Sequence, residues 1–156
     1  MTAVIQRILS SKLTADGEPY SECGKGFLVL LGVREGDTEE TADFICDKTA
    51  KLRVFRDEND KMNLSLLQLL ERGEKVSVMA VSQFTLCADC SHGNRPAFVD
   101  AMRPESAKPL YEHFVERMRN IHGIPTVTGV FGADMLISLE NEGPVTIILD
   151  SREIMK

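Results

Sequence analysis

Two short segments of the chain combine residue types that ordinary sheet does not require. Val81-Ser82-Gln83-Phe84-Thr85-Leu86 puts three hydrogen-bonding side chains, those of Ser82, Gln83 and Thr85, at the end of a hydrophobic strand. A strand end can present backbone N–H groups that have no ladder partner, which suits a ligand or oxyanion site. An edge strand turning its polar residues to water has the same composition. The second segment is Asn141-Glu142-Gly143-Pro144-Val145-Thr146. Gly143-Pro144 interrupts a strong β pattern, because proline donates no N–H to a ladder. It reads either as a hairpin turn or as a loop that presents its backbone. Glycine lets another molecule approach the main chain, and an X-Pro bond adopts the cis form at low cost. The sequence leaves the isomer open.

A third cluster, Cys87-Ala88-Asp89-Cys90-Ser91-His92, has the spacing of half a zinc site. A tetrahedral site needs four ligands, usually from two such pairs. Cys23 and Cys46 are isolated, and His113 and His122 lie nine residues apart, so no metal is expected. A redox C-x2-C motif should lead into a helix, whereas Gly93-Asn94-Arg95-Pro96 reads as loop. Two reduced thiols near a strand end are the expectation.

These segments need a scaffold, and the chain is long enough for one. Its 156 residues form a single domain, 1–156, with 43% hydrophobic and 27% charged residues. No apolar run reaches the ~20 residues that span a bilayer, and the N-terminus alternates like a strand rather than a signal peptide. A cytoplasmic protein is expected. The net charge of −6 disfavours indiscriminate binding to phosphate backbones or anionic membranes.

The hydrophobic periodicity predicts strands at 2–9, 18–23 and 27–31, with Asp16-Gly17 as a hairpin turn. Asp37 caps a helix and Glu40 closes its capping box; Ala42, Ile45, Thr49 and Leu52 form the packed face. A short strand at 53–55 and a polar turn at 57–61 follow, and the leucine-rich 64–70 is ambiguous. Further strands are predicted at 75–86, 126–129 and 134–149. A second amphipathic helix spans 105–120, with Leu110, Phe114 and Met118 on one face and Gly123 at its end. This order is not a doubly wound βαβ pattern. It predicts an α+β, layered β/β/α domain: mostly antiparallel sheets with two main helices packed on one side.

Taken in order, Ser82-Gln83-Phe84-Thr85-Leu86 and Asn141-x-Gly-Pro-x-Thr146 resemble the D-aminoacyl-tRNA deacylase (D-tyrosyl-tRNA deacylase) family. The resemblance runs from Ala3-Val4-Ile5-Gln6-Arg7 almost to Asp150. It includes Gly24-Lys25-Gly26, Leu30-Leu31-Gly32-Val33, Lys61 to Ser65, Gly93-x-Arg95-Pro96 and Gly129 to Met135. Cys87 stands where tyrosine is common in the family, and Ala97 where serine is common. Asn141 matches the D-aminoacyl branch rather than a relative with proline there and a trans Gly-Pro bond.

The resemblance implies a homodimer with its active site at the subunit interface. Each subunit would insert a cis Gly143-Pro144 peptide into the partner's pocket, opposite Ser82 to Leu86. The substrate would be a D-amino acid or glycine esterified to the 3′-terminal adenosine of tRNA. Carbonyls of Gly143 and Pro144 would fix the α-ammonium, so that an L side chain collides with a rigid wall and a D side chain points away. Thr85 is the obvious nucleophile, but a threonine hydroxyl needs a neighbouring base. No Ser/His/Asp order is evident. The preferred assignment has backbone N–H groups near Phe84 and Thr85 stabilise the oxyanion while the substrate's 2′-hydroxyl activates water. Gln83 and Ser82 would shape the site. Phe84 stacks near the adenosine or packs in the core, and Met135 lines the pocket mouth or fills the core. No cofactor is implied.

Arg53, Arg56, Lys61, Arg95, Arg103 and Lys108 are candidates for a basic rim around the tRNA 3′ end. Few phosphate contacts would give a shallow salt dependence. Two other readings compete: a dimeric tRNA-binding module without turnover, and a general esterase dependent on Thr85.

Overall fold

The computed structural model describes residues 1–156. A long first strand organises it. Strand β1 (Thr2–Ala15) runs past the predicted end at residue 9 and turns at Asp16-Gly17 into β2 (Glu18–Cys23). Both turn residues have positive φ, 49° and 82°, as a two-residue hairpin requires.

Strands β3 (Gly26–Gly32), β6 (Ser77–Ser82), β7 (Thr126–Thr128) and β8 (Met135–Asp150) complete a six-stranded sheet. β1 pairs antiparallel with β2, β3 and β8, whereas β3–β6 and β6–β7 are parallel. A small antiparallel pair, β4 (Phe55–Arg56) and β5 (Met62–Leu64), stands apart. The fold is α+β as expected.

β1 has two halves with different neighbours. Its first half lies between β3 and the end of β8, and its second half between β2 and the start of β8. The register with β8 breaks between Gln6 and Ile8 and again between Ile8 and Ser11. Such breaks bend a strand and increase its twist. Each face of β3 and β6 therefore gains a cover. Phe27, Val29, Leu31, Val78 and Ala80 join the main core beneath the helices. Leu28, Met79 and Val81 face a smaller core with Ile8 and Leu13, against which Met135, Ile137 and Leu139 of the rolled β8 pack. The layers are helix, sheet and curled sheet.

Helices α1 (Glu39–Lys51) and α3 (Pro104–Asn120) supply the helical layer. Ala42, Ile45 and Thr49 are buried on α1, as their spacing requires. The cap differs from expectation: Thr38, not Asp37, is the N-cap, and Thr41, not Glu40, closes the box. Asp37 is committed elsewhere, accepting from the Arg34 N–H at 2.7 Å and from the Met1 ammonium at 2.6 Å. The ambiguous leucines form α2 (Leu66–Glu71), started by a Ser65–Gln68 capping box. A last turn, α4 (Ser151–Ile154), closes the chain.

Across the outer edge of α1 and α3, Arg117 donates to Asp47 through Nε at 2.8 Å. His122 and His113 meet Asp47 and Asp43, each at 2.7 Å. Both histidines, and the buried Cys46 whose thiol burial pushes up to about 12, serve helix packing here.

Candidate active site

Strand β6 ends at Ser82, short of the predicted 86, and the chain tightens into a 3-10 turn, Phe84–Cys87. The Gln83 N–H donates to the Leu31 carbonyl at 2.8 Å, tying the turn to the end of β3. Gly32 makes this possible, because a Cβ there would stand 2.9 Å from Leu86 Cβ and 3.1 Å from the Gln83 carbonyl. Arg34 secures the far side by donating to the Leu86 carbonyl at 3.0 Å. The first N–H groups of such a turn, those of Phe84 and Thr85, have no carbonyl within it to bond. The cap residue Gln83 supplies no side-chain acceptor either. Two backbone donors are thus held on a braced corner.

That corner opens on a cavity of about 590 Å³. Ser82, Gln83 and Phe84 line it from the turn, Met135 and Ile137 from β8, and Phe98, Met102 and Arg103 from the segment before α3. Phe84 is exposed, and its ring meets that of Phe98 edge to face with centroids 5.0 Å apart. Phe84 is therefore a mouth residue rather than a core residue. Met135 both lines the cavity and packs on the smaller core.

The lining holds no Asp, Glu, His, Lys or Cys, and Arg103 is its one charged residue. Thr85 is exposed, and its hydroxyl is engaged by the Gln83 amide rather than by a base. The Thr85 hydroxyl has no imidazole or carboxylate hydrogen-bond partner in this chain, and His113 and His122 are bound to carboxylates on α1. The C-x2-C pair is also divided. Cys87 is buried with its thiol donating to the Val33 carbonyl at 3.5 Å, and burial raises its pKa, while Cys90 is exposed.

Asn141, Gly143 and Pro144 do not line this cavity. They occupy the first register break, where Gln6 pairs with Thr146 and Ile8 with Asn141. The four residues Glu142 to Val145 therefore oppose a single residue, Arg7, and bulge from the ladder. The Gly143–Pro144 bond is cis, and both residues are exposed. Asn141 braces the bulge, its Oδ1 accepting from the Val145 N–H and its Nδ2 donating to Thr146 Oγ1, both at 3.1 Å.

Arg7 is the residue that sequence reasoning missed. Its guanidinium is only 2% exposed, beneath the bulge. Nε donates to the Glu142 carbonyl at 3.3 Å and lies 3.2 Å from the Glu142 carboxylate, and Nη1 donates to the Val54 carbonyl. A Cβ on Gly143 would stand 3.0 Å from Arg7 Nη2 at a φ of +120°. The signal was an arginine at an inward position of a hydrophobic strand, which needs a carbonyl or carboxylate partner.

The predicted basic rim is dispersed. Arg53 bonds Asn63 and Arg56 lies 3.4 Å from Asp60, so only Arg103 reaches the cavity. Lys108 lines a neighbouring groove.

The fold agrees with comparisons across known proteins. The family model described as D-Tyr-tRNA(Tyr) deacylase matches residues 4–150. Curated relatives named D-aminoacyl-tRNA deacylase include one from Thermosipho melanesiensis, 47% identical over 99% of both chains. Another from Clostridioides difficile is 50% identical over 97% of both chains. A solved structure titled c-Myc DNA Unwinding Element Binding Protein superposes with a TM-score of 0.86 at 37% identity, covering 97% of this chain and 99% of its own. A second, described as a probable eukaryotic D-amino acid tRNA deacylase, has a TM-score of 0.78 at 18% identity and shares the fold. The chain belongs to the D-Tyr-tRNA(Tyr) deacylase family. It is an enzyme of the hydrolase class, of the D-aminoacyl-tRNA deacylase type.

Proposed function

We propose that the enzyme hydrolyses the ester between a D-amino acid, or glycine, and the terminal adenosine of tRNA, using a site completed by a second copy of the chain. One observation carries the two-copy reading. The two family motifs stand on different surfaces of the monomer: Ser82 to Phe84 in the cavity, Gly143-Pro144 on an exposed bulge. The bulge lies on a strand face open to solvent. β8 exposes Leu136, Ser138 and Glu140 before it and Thr146 and Ile148 after it, beside the exposed Leu9 of β1. Large apolar residues on an open sheet face suit a subunit contact.

Docked on a partner's cavity, Gly143 and Pro144 would offer carbonyls to the substrate's α-ammonium. The N–H groups of Phe84 and Thr85 then meet the ester oxyanion. The substrate's own 2′-hydroxyl activates the water, a role for which this chain's cavity lining, without Asp, Glu, His or Lys, offers no competing base. Ser82 and Gln83 orient the ester, and Phe84 stands where it can stack on the adenine. Chirality is read by the bulge: with ammonium and ester fixed, an L side chain points into its backbone and a D side chain, or a hydrogen, does not. A wall discriminates only if it cannot yield, and Arg7 and Asn141 brace this one from beneath. We place the enzyme in the cytoplasm with its substrate.

The decisive experiment is paired deacylation of one tRNA carrying the D- or the L-form of the same amino acid. The D-ester alone should be cleaved, with and without chelator. Equal cleavage of both forms would defeat the chiral account in favour of a general esterase. Retained tRNA binding without cleavage of either would leave a binding module.

A further inference from the structure

A second groove adjoins the catalytic cavity, and nothing above gives it a role. It has a volume of about 390 Å³ and lies between β2, one flank of α3 and the segment that follows β7. Phe131 belongs to both walls: Gly129 to Phe131 face the groove, and Phe131 to Ala133 face the cavity. A ligand filling the cavity and continuing past that ridge enters the groove within one residue's width.

The groove's chemistry differs from the cavity's. Tyr20 offers an exposed ring, 55% accessible. Tyr111 is fixed by its hydroxyl on the Ala80 carbonyl at 2.8 Å, and its ring lies 6.0 Å from that of Phe131. Arg119 is held by two hydrogen bonds to the Thr126 carbonyl, from Nε at 2.9 Å and Nη2 at 2.6 Å, and Nη1 has no protein partner. Lys108 adds a second cation, 3.8 Å from Glu112, while the Glu116 carboxylate is in no ion pair.

An aromatic face, an anchored cation and a free carboxylate are complementary to one nucleotide. The ring stacks on a base, the open Nη1 of Arg119 meets a phosphate, and the carboxylate accepts from an exocyclic amine. Cytosine presents such an amine at N4, whereas uracil presents a carbonyl there and would face the carboxylate acceptor to acceptor.

We propose that this groove is a subsite for the cytidine that precedes the terminal adenosine of the tRNA. The proposal rests on the deacylase reading, which puts the terminal adenosine at the cavity, next to this groove. It also fits an enzyme that must serve many tRNAs, since every tRNA ends in cytidine-cytidine-adenosine. A base read there is common to all substrates and adds affinity without narrowing their range. The acidic protein has few other phosphate contacts to use.

The test compares three minimal substrates of the full-length enzyme: a D-amino acid esterified to adenosine, to the dinucleotide cytidylyl-adenosine, and to uridylyl-adenosine. The quantity read is the ratio of kcat/KM for each dinucleotide to that for adenosine. For the unaltered enzyme the cytidine ratio should be about tenfold, the effect of one stacked base. The uridine ratio should be about fivefold lower. Tyr20→Ala, at an exposed position that folding does not need, should bring the cytidine ratio close to one. Glu116→Gln should erase the preference for cytidine over uridine, because an amide can donate to the uracil carbonyl. A cytidine ratio near one for the unaltered enzyme overturns the subsite, and so does a ratio that neither substitution changes. In both cases the adenosine ester is still cleaved and the deacylase reading stands. Failure to cleave any D-ester, on tRNA or on adenosine, overturns both.

Discussion

Replacing Arg7 by methionine should damage the bulge and the fold together, in a proportion the structure sets. The substitution keeps an unbranched side chain but removes every donor from beneath Glu142 to Val145. Two carbonyls, of Val54 and Glu142, lose a charged donor, and such hydrogen bonds contribute ~1.5–3 kcal/mol each. Removing a buried cation returns part of this, because its desolvation no longer opposes folding. A net loss of about 2–3 kcal/mol follows. For a domain of this size that lowers Tm by roughly 5–10 °C. The catalytic effect is separate: a wall displaced by about 1 Å costs on the order of 100-fold in rate. kcat/KM for the D-ester should therefore fall by roughly 10–100-fold at a temperature where the variant is still folded. Glu142→Gln is the control, since it removes the carboxylate and keeps the carbonyl that Arg7 holds. That carboxylate is 34% exposed, so its loss should cost less than about 1 kcal/mol and leave turnover within about twofold. Calorimetry and deacylation kinetics on the three proteins decide the matter. An Arg7→Met protein with Tm within about 2 °C of the original and undiminished D-ester turnover would refute the claim that Arg7 holds the bulge.

Further predictions follow from the same geometry. Thr85→Ala should keep kcat/KM within about tenfold, because the hydroxyl is bonded to Gln83 and has no base, whereas Gly143→Val should lose at least about 100-fold through its positive φ and the contact with Arg7; comparable losses would return Thr85 to the role of nucleophile. Mixed subunits of Gly143→Val and Ser82→Trp, the second filling the cavity, should recover roughly a quarter of full activity after exchange if sites are shared between copies, and none if each site lies within one chain. Asp47 is held at about 2, chiefly by the hydrogen bond from Arg117, against ~3.9 for an unfolded aspartate. Its contribution to stability, roughly 1 kcal/mol after solvent screening, is present above about pH 4 and lost as pH falls towards 2. Asp47→Asn should flatten the acid limb of urea midpoints there, and an unchanged limb would place acid sensitivity elsewhere. Deacylation should decline only gently with salt, with a log–log slope shallower than about −3.

Much of this protein was legible in its residues. Period-two and helical spacing located most strands and both long helices, since a half-buried strand and an amphipathic helix each write their buried face into the chain. Asp16-Gly17 carried the hairpin, and the two motifs carried the resemblance to the family, because a strand-end cluster of hydroxyl and amide and a Gly-Pro inside a strand are unusual in plain sheet. The rest depended on partners distant in sequence. Thr38 caps α1 because Asp37 is taken by Met1 and Arg34, a competition that local pattern does not encode. β6 ends at Ser82 because Gln83 bonds across to Leu31, so the turn that aims two N–H groups is set by β3 rather than by its own residues. The extension of β1 to Ala15 and its roll over the far side of β3 and β6 arise from register breaks against β8, a strand more than a hundred residues away. Those breaks convert Arg7 from one polar residue on a strand into the buried support of Gly143 and Pro144. Sequence determines which groups are available for chemistry; long-range pairing decides which of them are held still, and which face of the molecule they reach.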